Sequence, residues 1–409
     1  MTEVMEMLKR ELYLKRLRPF IDTELVKVLT GIRRSGKSVM LELLAQELLE
    51  RGIQREQIMV FNFEKLENAI YTTAEALHKE IKLRAANIHG RVYLFFDEIQ
   101  EVEHWEKCIN SLRIDTDCDI YITGSNAKLL SGELATYLAG RYVEIVIYPF
   151  SFSEFWELYK QSFPNETAGD CFKKYLKMGG MPYLHRLNYD QEACQLYLQD
   201  LYSTVELKDV IKRNKIRDVD LLERILAYMT MNAGTPFTAT SIVKYLKSEG
   251  RKASLDTVLN YVKAATDAFL FYKISCEELI GKKILTVDEK YFLADIGVRE
   301  AVFGNNMRVI NLILENIVCL ELLRRNYKVT IGRINNTEID FVGHKQDKKI
   351  YIQVSYLLAA EETIAREFAP LYEIKDNYPK YVVSMDAFDM SRDGITHCNL
   401  CDFLLNPEW

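Results

Sequence analysis

The 409-residue sequence has neither a long apolar run nor a regular cysteine framework. No segment approaches the roughly 18 consecutive apolar residues that a membrane-spanning helix needs, so we predict no membrane association. The acidic amino-terminal segment lacks the positive charge and apolar core of a secretory signal. Eight cysteines are scattered without regular spacing. This pattern is typical of reduced thiols and predicts a cytoplasmic protein.

Charge and metal-binding motifs are also sparse. The net charge of −6 argues against a protein coated in nucleic acid, although a local basic groove is compatible with it. Cys398 and Cys401 form a C-x-x-C beside His397, but further metal ligands do not accompany them. Two half-buried thiols are therefore favoured over a metal site. The length predicts two or three domains.

The pattern G-x-x-x-x-G-K-S lies near the amino terminus, between a short apolar strand and a helical segment. Two glycines, Gly31 and Gly36, allow the backbone to turn so that N–H groups converge on a phosphate. We expect Lys37 to bind the β- and γ-phosphate oxygens and Ser38 to bind Mg²⁺. The predicted ATP-binding residues are Gly31, Ile32, Arg33, Arg34, Ser35, Gly36, Lys37, Ser38 and Val39.

A second motif is the apolar run 92–96, which ends in Asp97 and Glu98. Such a run predicts a strand buried on both faces of a parallel sheet, and ligands bind at the carboxyl end of such strands. We expect Asp97 to hold the water shell of the metal, and Glu98 to orient and deprotonate the attacking water. The two motifs together predict Mg²⁺-dependent hydrolysis of ATP.

Two further polar residues have alternative interpretations. Asn126 follows a third apolar strand, where it could sense the γ-phosphate or position the water, or could cap the next helix. Arg141 precedes the strand 143–147 and could act as an arginine finger or sensor. A salt bridge within the sheet is the alternative for Arg141.

Residues 4–20 have the apolar spacing of an amphipathic helix. Its basic residues could contact nucleotide or a partner, but a solvated face is favoured. They are Arg10, Lys15, Arg16 and Arg18.

Several motifs along the chain resemble one family. They are the segments 30–38, 95–100, 123–126, 138–142, 148–155, 179–182 (GGMP), 293–297 (LADIG) and 338–342 (EIDFV). In these segments the chain resembles the bacterial and archaeal AAA-type P-loop ATPases whose C-terminal half is a domain of unknown function. The resemblance implies an α/β P-loop ATPase domain over residues 1–160, a helical winged-helix domain over 161–300 and a restriction-endonuclease-like α/β domain over 301–409.

The middle of the chain also has a helix-turn-helix pattern of its own. Helical segments are predicted at 220–232, 242–247 and 254–262, with Gly250 in the turn between the last two. Basic residues would give this region a modest positive face, at Lys244, Lys247, Arg251, Lys252 and Lys263. Binding of DNA and docking of a protein are both open interpretations.

The C-terminal segment contains part of a metal-dependent nuclease pattern. Endonucleases of this type use a helix Glu, a strand Asp and an E-x-K on the next strand to bind Mg²⁺ and activate water. Glu315 and Asp340 match the first two, whereas Gln353 followed by Val354 and Ser355 stands where E-x-K is expected. We expect Gln353 to retain a metal-binding carbonyl, but Ser355 cannot supply the positive charge. A non-catalytic nuclease-like fold is therefore favoured over an active nuclease.

Three functional hypotheses follow. The first is an ATPase that binds ATP or ADP with Mg²⁺ and couples nucleotide state to its C-terminal modules, with a protein partner or a homo-oligomer. The second is a nucleotide-gated switch that binds nucleic acid or protein with little turnover. The third is an ATP-regulated, metal-dependent nuclease.

Overall fold

The computed structural model describes residues 8–130, 138–279, 283–304, 309–335 and 337–409, excepting the side chains of 128, 130 and 283–288. The chain forms two compact units. The first comprises Met1–Tyr148 with Asp267–Phe269, and the second comprises Pro149–Thr266 with Leu270–Trp409. The division into three domains at residues 160 and 300 stays a prediction.

The first unit is built on a five-stranded parallel sheet in the order β2-β3-β4-β1-β5. Its strands are β1 (Val26–Thr30), β2 (Ile58–Asn62), β3 (Val92–Asp97), β4 (Cys118–Gly124) and β5 (Tyr142–Val146). Its helices are α1 (Glu11–Leu17), α2 (Lys37–Glu50), α3 (Ala74–Ala85) and α4 (Trp105–Asp115). Strands β1 and β3 are buried along their whole length, as expected for a parallel sheet covered on both faces. The predicted parallel α/β sheet is confirmed.

The leading helix is shorter than its pattern suggests. Helix α1 begins at Glu11 and is followed by a 3-10 turn at Arg18–Phe20. Residues 1–7, which carry the first part of the prediction, lie outside the described residues. Arg10 does not lie on the expected solvated face, because its side chain is buried against the phosphate loop.

The second unit begins with a series of helices. They are α5 (Phe152–Ser162), α6 (Ala168–Met178), α7 (Gln191–Thr204), a π-helix (Val205–Lys212), α8 (Val219–Met231), α9 (Ala239–Ser248) and α10 (Leu255–Asp267). Helices α8, α9 and α10 coincide with the three predicted helical segments. The strands that follow, β6 (Phe271–Glu278) and β7 (Lys283–Leu293), form an antiparallel hairpin. This hairpin is part of a larger mixed sheet.

That sheet has seven strands in the order β12-β11-β10-β9-β8-β6-β7. The remaining elements are α11 (Ile296–Phe303), α12 (Ile310–Arg324), β8 (Lys328–Ile334), β9 (Thr337–Lys345), β10 (Lys348–Val354), α13 (Glu361–Tyr372), β11 (Lys380–Ser384), β12 (Thr396–Asn399) and α14 (Leu400–Leu405). Strands β8, β9 and β10 form an antiparallel meander, and β11 runs parallel to β10. Helix α13 lies between β10 and β11 in the chain, as a parallel connection requires.

Two glycine-containing motifs of the second unit meet at Asp295. One carboxylate oxygen of Asp295 accepts a hydrogen bond from the N–H of Gly180 at 2.7 Å, and the other accepts from Gly297 at 2.9 Å. A Cβ added at Gly297 would lie 1.9 Å from the carbonyl oxygen of Met178. Only glycine allows this approach of α11 to the end of α6. The GGMP and LADIG motifs therefore form one structural contact.

Among the described residues, every helix is too short or too polar to cross a lipid bilayer.

Candidate functional site

The phosphate loop connects β1 to α2 and depends on two glycines. Gly36 adopts φ +98°, a left-handed conformation that favours glycine, and it caps the amino end of α2. Gly31 has φ +135°, and a Cβ there would lie 2.3 Å from the carbonyl oxygen of Ile147. The backbone can take this path only because both positions lack a side chain. The amino end of a helix that follows such a loop is suited to bind an anion.

The side chain of Lys37 lies within this loop. It is buried, and its Nζ donates to the carbonyl oxygens of Gly31 at 3.0 Å and Ile32 at 3.1 Å. These bonds hold a positive charge where the loop and the helix terminus converge. Among the other predicted binding residues, Ile32 and Ser35 are buried, Arg34 is exposed, Val39 is partly buried, and Arg33 pairs with Glu64 at 3.0 Å.

Asp97 ends β3 and collects three hydrogen bonds. Its Oδ1 accepts from the hydroxyls of Ser38 at 3.0 Å and Thr123 at 2.6 Å, and its Oδ2 accepts from the amide of Asn62 at 2.8 Å. Burial raises the pKa of Asp97, while the Thr123 and Ser38 hydroxyls and the Lys37 charge act in the opposite direction. The Ser38 hydroxyl and the Asp97 carboxylate are the hard oxygen donors that Mg²⁺ prefers, so these residues fit a bound magnesium ion.

Glu98, the next residue, has a left-handed backbone with φ +56°, which is uncommon for a residue with a side chain. The N–H of Glu98 donates to the Thr123 hydroxyl at 2.9 Å. Its Oε2 accepts hydrogen bonds from the amide of Gln100 and from the Ser125 hydroxyl, the latter at 3.3 Å. The carboxylate is therefore held in one orientation beside Asp97. Strain of this kind is common at functional sites.

Strand β4 lies between β1 and β3, so the residues that follow it reach the same edge of the sheet as the phosphate loop and Asp97. Asn126 is fully buried there, at the start of a 3-10 turn at Ala127–Leu130. The structure therefore brings Asn126 to the side where the loop and the carboxylates lie.

Arg141 lies at the opposite edge. It precedes β5, and its backbone carbonyl accepts from the N–H of Val26 at the start of β1. The phosphate loop follows the other end of β1, at Thr30. The Arg141 side chain is exposed. Arg141 therefore does not join the loop within its own chain, because a residue that precedes a parallel strand lies at the amino edge of the sheet.

Sequence analysis assigned no role to Asn62, Thr123, Gln100 or Ser125. Asn62 ends β2 directly opposite Asp97 in the register of the sheet. Its position at the end of β2, the strand next to β3, is the sequence feature that could have predicted its contact with Asp97. Gln100 and Ser125 could not be found in this way, because their contacts depend on the turns that follow β3 and β4.

The C-terminal cluster forms in the second unit. The Asp340 carboxylate accepts from the N–H of Val354 at 2.8 Å, and the Gln353 amide oxygen accepts from the N–H of Asp340 at 3.3 Å. Burial raises the pKa of Glu315, on α12, well above its ordinary value, and the nearby charge of Asp340 raises it further. The structure thus brings together Glu315, Asp340 and Gln353.

A lysine that sequence analysis did not single out enters this cluster. Lys290, from β7, is 4% exposed, and its Nζ lies 2.6 Å from a carboxylate oxygen of Glu338 and 3.8 Å from one of Glu315. Burial lowers the pKa of Lys290, but the charges of Glu315, Glu338 and Asp340 outweigh it and the pKa is raised. Lys290 therefore stays charged among the carboxylates.

Within the described ranges, no group of three or more His, Cys, Asp or Glu side chains is arranged to hold a metal ion. This finding includes Cys398 and Cys401, which are free thiols. His397 instead contacts the Ser384 hydroxyl at 2.9 Å.

Comparison with known proteins identifies the family to which the first unit is similar. A family model described as an AAA domain matches residues 23–156. An uncharacterized protein of Haemophilus influenzae is 37% identical over 98% of this chain and 99% of its own length. This chain belongs to the AAA-type P-loop ATPase family. The uncharacterized protein MJ1544 of Methanocaldococcus jannaschii is 30% identical over 86% of this chain and 79% of its own length.

The similarity of this AAA-type ATPase to its relatives extends beyond the first unit. A walker-type ATPase of Pyrococcus abyssi shares its fold at a TM-score of 0.51 and 16% identity, over 71% of this chain and 94% of the other. A second family model, Domain of unknown function (DUF8612), matches residues 169–308. The comparisons do not support the winged-helix and endonuclease-like predictions for the C-terminal part, which stay proposals.

Proposed function

We propose that this chain is a cytoplasmic, Mg²⁺-dependent ATPase that hydrolyses the β–γ phosphoanhydride of ATP to ADP and phosphate. The observation that carries the proposal is the convergence of Lys37, Ser38, Asp97 and Glu98 at one edge of the parallel sheet. Two of them are joined directly, by the 3.0 Å hydrogen bond between Ser38 and Asp97.

Each side chain has a distinct role in this proposal. Lys37 and the N–H groups of the loop bind the phosphates, and Ser38 and Asp97 hold Mg²⁺, which neutralises charge on the phosphates. Glu98 accepts the proton of the attacking water on its carboxylate. Gln100 and Ser125 keep that carboxylate oriented, and Asn126 contacts the γ-phosphate or the water. A role for Arg141 would require the nucleotide of a neighbouring subunit.

The test separates nucleotide binding from turnover. Glu98→Gln should bind ATP with the affinity of the parent, because binding depends on Lys37 and the loop. Its phosphate release should fall by about 100-fold or more, because the amide cannot accept the proton. Glu101→Gln, at an exposed carboxylate on the same turn, is the matched control and should hydrolyse ATP normally. Parent-like turnover by Glu98→Gln would show that Glu98 is not the base.

For the C-terminal part we propose a nuclease-like topology that does not cleave. Two features support the resemblance to restriction endonucleases. One is the order of elements, α12-β8-β9-β10-α13-β11, and the other is the proximity of Glu315, Asp340 and Gln353. The charge of Lys290 compensates the carboxylates without a divalent cation. Incubation with DNA or RNA and Mg²⁺ or Mn²⁺ should give no cleavage. Cleavage that disappears in Asp340→Ala would instead establish the nuclease hypothesis.

DNA binding by α8–α10 is the weaker alternative. Arg251, one of the basic residues of the predicted positive face, pairs with Asp220, and the neighbouring Arg224 pairs with Glu249 at 2.9 Å. Nearby carboxylates therefore neutralise part of the charge that would contact phosphates. A series of DNA-binding measurements at increasing salt, with and without ATP, tests this. An affinity for DNA that falls steeply with salt would support DNA binding. No DNA binding even at low salt would favour a protein partner.

A further inference from the structure

Arg10 is a buried charged residue of the first unit to which the proposed chemistry gives no role. It precedes α1 and is 3% exposed. An arginine is rarely buried unless its charge is compensated or its donors are satisfied. The partners of Arg10 therefore indicate why it is there.

Two of those partners are backbone carbonyl groups from distant parts of the chain. One guanidinium nitrogen donates to the carbonyl of Ser35 at 3.1 Å, and another donates to the carbonyl of Tyr148 at 2.9 Å. The guanidinium also lies 4.5 Å from the centre of the Tyr13 ring, and the Tyr13 hydroxyl accepts from the N–H of Tyr148 at 3.2 Å. Arg10 thus bridges the phosphate loop and the segment that leaves β5.

The same segment also holds the first glycine of the loop. The N–H of Ile147 donates to the carbonyl of Thr30 at 2.7 Å, and the carbonyl oxygen of Ile147 occupies the space that a Cβ of Gly31 would need. Ser35 stands directly before Gly36 and Lys37 at the other end of the loop. The loop is therefore held at both ends by the residues that follow β5, directly at Gly31 and through Arg10 at Ser35.

The hydrogen bond to Ser35 bears on phosphate binding. For the loop N–H groups to converge on an anion, the loop carbonyls must point elsewhere and find donors of their own. A guanidinium is a rigid fork of donors and can satisfy two carbonyls at once, whereas an ammonium is a single point charge. A backbone turn next to the left-handed Gly36 otherwise has many accessible conformations.

We propose that Arg10 is a positioning residue for the phosphate loop, which it holds in the nucleotide-binding conformation through the Ser35 carbonyl. The inference rests on the proposed ATP-binding function. Arg10 acts through the backbone and not on the phosphates themselves. Its loss should therefore weaken ATP binding far more than it slows hydrolysis once ATP is bound.

The experiment measures ATP affinity, kcat and thermal stability for Arg10→Lys and Arg10→Met in the full chain. We expect ATP·Mg²⁺ to bind at least about tenfold more weakly to both variants, with kcat at saturating ATP within about threefold of the parent. The melting temperature of the nucleotide-free protein should fall in both variants, because buried carbonyl groups lose their guanidinium donor, but unfolding should stay cooperative. Lys15→Met, an exposed charge on α1, is the matched control and should bind normally. A merely structural role would also lower the melting temperature, but it would leave the ATP affinity of the folded protein unchanged.

The outcomes separate this inference from the proposed function. A parent that binds no ATP would refute the proposed function. A second outcome is that the parent binds ATP, Lys37→Ala does not, and Arg10→Lys binds with the affinity of the parent. This outcome would refute only the role of Arg10. Loss of cooperative folding in Arg10→Lys would also refute it, because the residue would then serve overall stability.

Discussion

Replacing Lys290 with Met tests whether this ammonium compensates the C-terminal carboxylates. The substitution keeps most of the apolar stem and removes the charge that lies 2.6 Å from Glu338 and 3.8 Å from Glu315. The contact with Glu338 carries most of this interaction, because burial raises the pKa of Glu315 well above its ordinary value and so disfavours its charged form. Removing one partner of a buried ion pair typically costs about 3–5 kcal/mol. Because the Glu338 side chain is 35% exposed and its charge is partly screened by water, we expect a smaller loss, and the free energy of unfolding of the second unit should fall by about 2–3 kcal/mol.

The assay is urea unfolding of the full chain, followed by circular dichroism. Lys273→Met is the matched control, because Lys273 also pairs with a glutamate, Glu289, at 3.0 Å but is half exposed. Exposed pairs contribute at most about 1 kcal/mol, so this variant should unfold almost like the parent. Equal losses in the two variants would refute the idea that Lys290 is the internal counterion of the cluster.

Three other predictions follow from the described contacts. Gly31→Ala should weaken ATP binding in calorimetry by about tenfold or more, because its Cβ would lie 2.3 Å from the Ile147 carbonyl oxygen; normal affinity would contradict the loop geometry. Gln100→Ala should lower kcat about tenfold with unchanged ATP affinity in a phosphate-release assay, because Glu98 loses its orienting amide; an unchanged kcat would remove that role. Burial raises the pKa of Glu206 to about 7 from an ordinary 4.5, so the folded protein takes up a proton more readily and its stability should fall as pH rises from about 5 to about 8. The free energy of unfolding, measured by urea titration, should fall by at most about 3 kcal/mol over this range, and by less in Glu206→Gln. Equal pH dependence in both proteins would contradict the raised pKa of Glu206.

The local parts of the nucleotide site could be predicted from sequence. The phosphate loop needs two glycines, a lysine and a hydroxyl at fixed spacing, and the apolar run before Asp97 indicates a buried strand. These features depend on neighbouring residues only. The parallel sheet follows from them, since both motifs occur at the carboxyl ends of buried strands, β1 and β3.

Contacts between distant segments could not be predicted in this way. Arg10 reaches Ser35 and Tyr148 because of how α1 lies against the loop, and Lys290 reaches Glu315 because β7 joins the sheet of β8–β12. Neither contact leaves a pattern in the spacing of residues. The position of Arg141 is different, because a residue before a parallel strand can be assigned to the amino edge from its place in the sequence alone.

Titration calorimetry of ATP with Mg²⁺ into the parent and into Lys37→Ala tests the central claim most directly. The account predicts one nucleotide bound per parent chain and an affinity at least about 100-fold lower in Lys37→Ala, which loses a buried charge-assisted contact to phosphate. No binding heat for the parent with ATP or ADP, or the same affinity in both proteins, would contradict it.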